Sequence, residues 1–164
     1  MKALPTVQQL NDRFTYNPES GELIWKNGRC KGKVAGFTQH GYRLIRLSGV
    51  TYKAHRLIWK MVKGADPAFT IDHINGDGSD NRIDNLRDVE HKVNLKNQKL
   101  RSTNTTGITG VYWREDRGVW SVSAHVGGKL TVVGAFKCLL SAVAARKSVE
   151  RNNGYHKNHG RVAV

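Results

Sequence analysis

The chain has 164 residues, which suits one ordinary domain or two to three very small ones. Its 27 Lys and Arg residues against 13 Asp and Glu residues give a formal charge of +14, which predicts a polyanionic partner, with nucleic acid favoured over an anionic membrane surface. No apolar run approaches the roughly 20 residues that span a bilayer, and the start of the chain lacks the apolar stretch of a secretion signal, so we expect a cytoplasmic protein without a membrane partner.

Residues 1–52 are predicted to be rich in β-structure. The segments GELIW, YRLIRL and VTYKAH have the composition of short strands and are separated by turn-forming residues. Arg43 and Arg46 interrupt the apolar residues of YRLIRL, as expected for a half-buried antiparallel sheet with a basic outer face. We expect this region to contact DNA through Arg43 and Arg46, with Lys31 and Lys33 nearby.

From Lys53 the spacing of apolar residues changes to that of a helix. Ala54, Leu57, Ile58 and Met61 recur on one face, and Gly64 is expected to end the helix.

The next segment predicts a strand, a loop, a short strand and a second helix. Ile71 and Ile74 flank Asp72 and His73, and the second helix is expected to begin near Asp88 as its N-cap. It would run through Val93-Asn94-Leu95-Lys96-Asn97, so that Asp72, His73 and Asn94 converge if it packs across the two strands.

The loop between the two strands contains many Asp and Asn residues, but its spacing excludes an EF-hand. With Asn75 at position 1 of such a loop, Asp80 replaces the Gly required at position 6 and Leu86 replaces the Glu at position 12. Side-chain hydrogen bonds that close turns are the favoured role of Asn75, Asp77, Ser79 and Asn81. Asp72 and His73 differ, because a polar pair between two isoleucines points to a functional role.

Residues 53–101 resemble the HNH endonucleases of the phage and intron homing type. The resemblance lies in AHRLIW, IDHING, NRIDNL and NLKN, and it implies a ββα-metal finger. By position it makes His73 the general base, Asp72 and Asn94 the metal ligands, and Asn85 the brace of the loop. His55 also matches, although a histidine on the buried face of a helix is more often structural.

The implied chemistry suits these residue types. Asp72 and Asn94 offer hard oxygen ligands of the kind that one Mg²⁺ or Mn²⁺ ion accepts, with coordination positions left for phosphate and water. The His73 imidazole, with an ordinary pKa near 6.5, can take a proton from the attacking water.

Residues 102–109 are polar and unpatterned and are predicted to be a linker to a second module, residues 110–155. This module should contain strands at 111–113, 120–126 and 129–136 and a helix from about Ser141 to Arg151. In the middle strand, Trp120, Val122, Ala124 and Val126 are expected to face the core, which leaves Ser121, Ser123 and His125 on the other face.

The second module is similar to the AP2 DNA-binding domain, which places a three-stranded sheet in the major groove. The resemblance lies in GVYW, Trp120, GK, GAF and the Ala-rich helix AVAA. By position, the residues predicted to face the groove are Tyr112, Arg114, Ser121, Ser123 and His125, and Arg117 and Lys129 are predicted to contact phosphates. Residues 156–164 form a basic tail.

Together these features predict an α+β protein that acts on double-stranded DNA and on no small-molecule substrate. We expect a site-specific HNH endonuclease that uses one divalent metal ion, leaves 5′-phosphate and 3′-hydroxyl ends, and nicks one strand as a monomer. The alternatives are a regulator that binds DNA without cutting it and a basic RNA-binding protein of ribosomal type. A phage-encoded protein would act in the cytoplasm of its bacterial host.

Overall fold

The computed structural model describes residues 3–98 and 100–161, and the chain divides into two compact units, Met1–His91 and Lys92–Val164. The fold is mixed α+β with several small antiparallel sheets, in agreement with the predicted class. In this described part of the chain, no helix is long and apolar enough to cross a bilayer.

The first unit contains three small sheets and two helices among its described residues. Its elements in chain order are α1 (Val7–Arg13), β1 (Phe14–Asn17), β2 (Glu22–Trp25), β3 (Phe37–Gln39), β4 (Tyr42–Leu47), β5 (Val50–Lys53), α2 (Ala54–Lys63), β6 (Thr70–His73) and β7 (Leu86–Val89). β1 pairs with β2, β3–β4–β5 form a three-stranded sheet, and β6 pairs with β7, all antiparallel.

The helix α1 was not among the predicted elements. Thr6 caps it by accepting a hydrogen bond from the backbone N–H of Gln9 at 3.1 Å, and the Gln9 side chain accepts one from the Thr6 N–H at 2.9 Å. This is a capping box, and the spacing of Thr6 and Gln9 is the local signal that marks it.

One hydrophobic core serves both the N-terminal region and the segment after it. Leu10, Phe14 and Ile45 are buried together with Leu57 and Ile71, each at most 7 % exposed. In β4, the alternation of a strand turns Ile45 inward and Arg46 outward.

The helix α2 forms where its apolar spacing predicts it. Ala54, Leu57 and Ile58 lie on its buried face. Gly64 ends the helix with φ of 75°, a left-handed conformation that glycine adopts without a steric penalty.

The predicted N-cap at Asp88 is wrong. Asp88 lies within β7, and its carboxylate accepts hydrogen bonds from the backbone N–H groups of Ala68 and Phe69 at 2.6 and 2.9 Å. Asp88 therefore holds the backbone segment that leads into β6 and does not cap a helix. The helix expected after it is the single turn α3 (His91–Asn94), followed by a 3₁₀ turn, Leu95–Asn97.

The second unit contains β8 (Val111–Arg114), β9 (Val119–Val126), β10 (Lys129–Phe136) and α4 (Leu139–Asn152). The strands form an antiparallel sheet with β9 in the centre, as predicted. Val111, Val122 and Ala142 form its small core, to which α4 contributes Ala142.

The two ends of the second unit are joined by backbone hydrogen bonds. The N–H groups of His156 and Gly160 donate to the carbonyls of Lys96 and Gln98, and the Leu100 N–H donates to Arg161. The predicted basic tail is thus tied to the unit through residue 161, and its last residues, 162–164, lie outside the described part of the chain.

Candidate active site

His73 ends β6 and is placed by the pairing of that strand with β7. Its cross-strand partner is Leu86, and its side chain is buried, with residue exposure of 4 %. The imidazole lies against the rings of His55 and Tyr42, with centroid distances of 5.0 and 6.0 Å. Burial lowers the pKa of His73, and the hydrogen bond with Asn81 and the charge of Asp72 partly oppose this shift. The side chain is therefore neutral near pH 7 and able to accept a proton.

Asn85 lies at the base of the loop that follows His73. Its Oδ1 accepts a hydrogen bond from the Asn75 N–H at 2.9 Å, and its Nδ2 donates to Asn75 Oδ1 at 3.0 Å and to the Asp80 carbonyl at 2.8 Å. These three bonds join the two ends of the loop. A brace of the loop is the role that the HNH resemblance implies for Asn85.

The side chains of Asn75, Asp77 and Asn81 close turns, as predicted, whereas the Ser79 hydroxyl donates to the Asp77 side chain. Asn75 Oδ1 accepts from the Asp77 N–H, and Asp77 Oδ1 accepts from the Ser79 N–H, at 2.8 and 2.9 Å. Asn81 Nδ2 donates to the Ser79 carbonyl at 3.1 Å. Such bonds to a backbone group two residues away replace the backbone pairing that a loop lacks.

Asn81 also makes a contact that the sequence did not predict. Its Oδ1 lies 3.0 Å from Nε2 of His73, and both side chains are buried. The side-chain amide of Asn81 thus positions Nε2 of His73, the predicted general base.

Asp72 precedes His73 and faces the other side of β6, where it pairs with Arg87 of β7. The Arg87 guanidinium donates two hydrogen bonds to Oδ2 of Asp72, at 3.0 and 2.7 Å, and the Asp72 side chain is 10 % exposed. This pairing orients the carboxylate and compensates for its burial. Arg87 was not among the predicted site residues.

The donor set limits which metal the site could hold. Among the side chains that the structure describes, in residues 3–90, 93–98 and 100–161, no three from His, Cys, Asp or Glu come together as ligands. A closed zinc site is therefore not supported by the described residues. The Asp72 carboxylate and an asparagine amide fit Mg²⁺ or Mn²⁺, because such ions bind through one or two carboxylates and take waters and substrate phosphates as further ligands.

Asn94, the second predicted ligand, is the last residue of α3 and is half-buried in the second unit. Its part in the site rests on its position in the sequence motif.

The comparisons with known proteins concern the segment that contains these residues. Residues 52–96 match the family model of the HNH endonucleases. The chain is also 35 % identical over 82 residues to Protein 3.8 of Escherichia phage T7, an alignment that covers 48 % of this chain and 68 % of the phage protein. The chain belongs to the family of this phage protein and carries an HNH endonuclease domain. No solved structure matches it.

The HNH domain supports a nuclease that acts on DNA. The family match ends at residue 96, so the AP2-like character of residues 110–155 stays a prediction.

His55, at the start of α2 in the HNH domain, is buried beside His73. Burial is the main reason that its pKa falls to about 3, and the nearby His73 and Lys53 lower it further. The residue is neutral throughout the physiological range, in keeping with a structural role.

The two arginines predicted to contact DNA in the first unit have different surroundings. Arg46 is exposed on β4, as are Lys31 and Lys33 in the loop before β3. Arg43 is half-buried, and its Nε donates to the Ala35 carbonyl at 2.9 Å. Arg46 is therefore the better placed of the two to reach a phosphate.

The outer face of the β8–β10 sheet carries most of the residues predicted to read bases. Tyr112 is 40 % exposed and His125 is exposed at the other end of the sheet. The backbone of His125 is held by the Tyr155 hydroxyl, which accepts from its N–H at 3.0 Å and donates to its carbonyl at 3.2 Å. Ser123 is half-buried, and Arg117 and Lys129 are exposed.

Ser121 is a correction to this predicted face. It points outward by alternation, but it is only 6 % exposed, because it is a small side chain in the central strand between Tyr112 and Ala135. A direct contact from Ser121 to a base is therefore not supported. Arg114 is accessible, but it makes a two-bond ion pair with Asp116, at 2.8 and 2.7 Å.

Proposed function

We propose that this chain is a site-specific DNA endonuclease of the homing type that hydrolyses phosphodiester bonds in double-stranded DNA. The observation that carries the proposal is the adjacent placement of an ion-paired carboxylate, Asp72, and a buried neutral imidazole, His73, at the end of β6 within the HNH domain. The charge of +14 supports a polyanionic substrate.

In the proposed reaction His73 is the general base. Its lowered pKa keeps the imidazole unprotonated at neutral pH, so it can take a proton from the attacking water. The water oxygen bonds to phosphorus, the bond to the 3′ oxygen breaks, and that oxygen takes a proton from solvent. The products carry 5′-phosphate and 3′-hydroxyl ends.

One divalent ion, Mg²⁺ or Mn²⁺, would be held by Asp72 and, by its position in the motif, by Asn94. When bound, such an ion stabilises the charge on the scissile phosphate and contributes several kcal/mol to the transition state. Arg87 orients the Asp72 carboxylate through two hydrogen bonds, and Asn85 keeps the loop closed beside His73.

The cleavage assay follows supercoiled plasmid carrying candidate genomic DNA, with Mg²⁺ or Mn²⁺. We expect metal-dependent cutting that is lost in His73→Ala and kept in His40→Ala, which removes an exposed histidine from the β3–β4 turn. DNA binding without cutting by the wild type would contradict the proposal and favour a non-catalytic regulator. Preference for structured RNA over duplex DNA would favour an RNA-binding protein instead.

One centre in a monomer is expected to cut one strand, so nicked circles should appear before linear DNA. Linear product that forms as fast as nicked circle would contradict this part of the proposal.

DNA binding is proposed to involve the exposed cations of the first unit and the β8–β10 sheet of the second. In the first unit these are Lys31, Lys33 and Arg46. Replacing all three with alanine should reduce the slope of log K against log salt concentration by about 2.7, since each phosphate contact contributes about 0.9. Lys26→Ala is the control, because the Lys26 Nζ already donates to the Asn11 carbonyl. An unchanged slope in the triple variant would refute this surface.

In the second unit, Tyr112, Ser123 and His125 are proposed to face the bases, and Arg117 and Lys129 the phosphates. Tyr112→Ala should alter sequence preference, whereas Lys129→Ala should weaken binding to all sequences alike. If Tyr112→Ala and Lys129→Ala both weakened binding to every DNA sequence by the same factor, the proposal that this sheet face contacts bases would be contradicted.

A further inference from the structure

The loop beside His73 is held by a hairpin that lies outside the matched HNH segment. The Tyr16 hydroxyl, on β1, accepts a hydrogen bond from the Ile83 N–H at 2.9 Å and donates to the Asn81 carbonyl at 3.3 Å. Gly21, in the turn between β1 and β2, packs against the same backbone. A Cβ at Gly21 would overlap the backbone nitrogen of Arg82, so only glycine fits there.

The side chain of Asn81 has one orientation that satisfies both of its neighbours. Its Nδ2 donates to the Ser79 carbonyl, which can only accept. The Asn81 Oδ1 is then the atom that faces Nε2 of His73 at 3.0 Å. Because Oδ1 can only accept, Nε2 must carry the proton.

A neutral imidazole has a single N–H, so the Nε2–H tautomer places the lone pair of His73 on Nδ1. We propose that Asn81 and Tyr16 are positioning residues of the HNH site, Asn81 by fixing this tautomer and Tyr16 by anchoring the loop backbone that carries Asn81. The catalytic consequence rests on the proposed function: Nδ1 takes the proton from water as the water oxygen bonds to phosphorus. Asn81 Oδ1 accepts from Nε2–H before and after that transfer.

This role differs from that of Asn85. Asn85 bonds to Asn75 and to the Asp80 carbonyl, and so closes the loop, whereas Asn81 contacts the imidazole itself. Loss of Asn81 should therefore change the state of His73 even if the loop stays folded.

The first test reads the tautomer of His73 without DNA or metal, by nitrogen NMR of histidine-labelled full-length protein at pH 8. His73→Gln assigns the signals. We expect the Nε2–H form in the wild type and in Asn81→Asp, which keeps an acceptor oxygen, and a mixture of tautomers in Asn81→Leu. Asn81→Ser, whose hydroxyl is too short to reach the imidazole, replaces Asn81→Leu if circular dichroism shows that the leucine variant is unfolded.

Tyr155→Phe is the matched control, because the Tyr155 hydroxyl bonds to one backbone N–H and one carbonyl in the second unit, just as Tyr16 does in the first. We expect an unchanged His73 signal in Tyr155→Phe and a partial shift towards the mixture in Tyr16→Phe. An Nδ1–H form in the wild type, or a wild-type signal in folded Asn81→Leu (or in Asn81→Ser where the leucine variant is unfolded), would overturn the proposal.

The second test measures plasmid nicking at saturating DNA. A general base contributes about 10²- to 10⁴-fold, so Asn81→Leu should lower kcat at least about 10-fold, with KM nearly unchanged. Full kcat in this variant would refute the positioning role. Absence of nicking by the wild type would instead refute the proposed function, and the NMR result would still decide the tautomer.

Discussion

Removing the buried histidine His55 should make the first unit less sensitive to acid. Its pKa in the folded chain is about 3, against an ordinary value of 6.5, because burial disfavours the charged imidazole. Below pH 6.5 the unfolded chain binds a proton at this residue and the folded chain does not. Acid therefore favours unfolding, and stability is lost as pH falls from 6.5 towards 3.

The size of the effect follows from proton linkage. Between pH 7 and pH 5, the difference between a pKa of 6.5 and one near 3 removes about 2 kcal/mol from the free energy of unfolding. This window lies above the ordinary range of carboxylates, so histidines dominate it. The lowered pKa of His73 acts in the same direction, so part of the pH dependence should remain when His55 is absent.

The assay is native-state hydrogen exchange at the backbone amides of Ile45 and Leu57, which are fully buried in the core of the first unit. We expect the opening free energy of the wild type to fall by about 2 kcal/mol more than that of His55→Phe between pH 7 and pH 5. His40→Asn, which replaces an exposed histidine at φ of 49° with a residue that tolerates this conformation, should behave like the wild type. Equal pH dependence in the wild type and His55→Phe would refute the reasoning.

Three further changes test the packing of the fold. Gly21→Ala should destabilise the first unit by at least about 1 to 3 kcal/mol in urea denaturation, because its Cβ would overlap the Arg82 nitrogen; wild-type stability would show that the hairpin does not press on the loop. Asp88→Ala should cost about 1 to 3 kcal/mol by leaving two backbone N–H groups without their acceptor, and Asp88→Asn, which keeps one acceptor, should cost less. Arg146→Met should destabilise the second unit by about 1 to 3 kcal/mol, because the buried Glu150 keeps only Lys147 as a cationic partner and the Ser123 carbonyl loses its donor; wild-type stability would show that Lys147 and solvent are sufficient for the carboxylate.

Residues close together in the sequence were sufficient to predict several elements of the fold. The helix α2 follows from its apolar spacing and from Gly64, and the turns at Asn75 and Asp77 follow from side chains that reach backbone groups two residues away. The capping box at Thr6 was equally local and could have been found by the same means.

The contacts that the sequence could not predict depend on pairing across long separations. Asp72 meets Arg87 because the register of β6 and β7 places them opposite each other, and no tight turn fixes that register. Tyr16 meets Asn81 across 65 residues. Ser121 satisfied the alternation rule, but its exposure was decided by neighbouring strands.

The strand register also explains why two adjacent residues can take the different parts that we propose for them in one reaction. Successive side chains of a strand point to opposite faces, so Asp72 faces Arg87 while His73 faces the rings of His55 and Tyr42. A guanidinium offers hydrogen bonds to a carboxylate, and burial favours a neutral imidazole. The register thus gives Asp72 a cationic partner and places His73 in a buried site that lowers its pKa.

The acidic side chains of the loop after β6 are also stabilised by nearby hydrogen-bond donors. Arg82 donates two hydrogen bonds to Asp80, at 2.8 and 2.7 Å, which lowers the pKa of that carboxyl. Asp77 accepts from the N–H and the hydroxyl of Ser79. These two carboxylates stabilise the loop that carries Asn81 and closes beside His73. Asp80 accepts hydrogen bonds from a guanidinium, and Asp77 accepts one from a backbone N–H. The loop can therefore lie near a phosphate backbone with less repulsion than its count of acidic residues suggests.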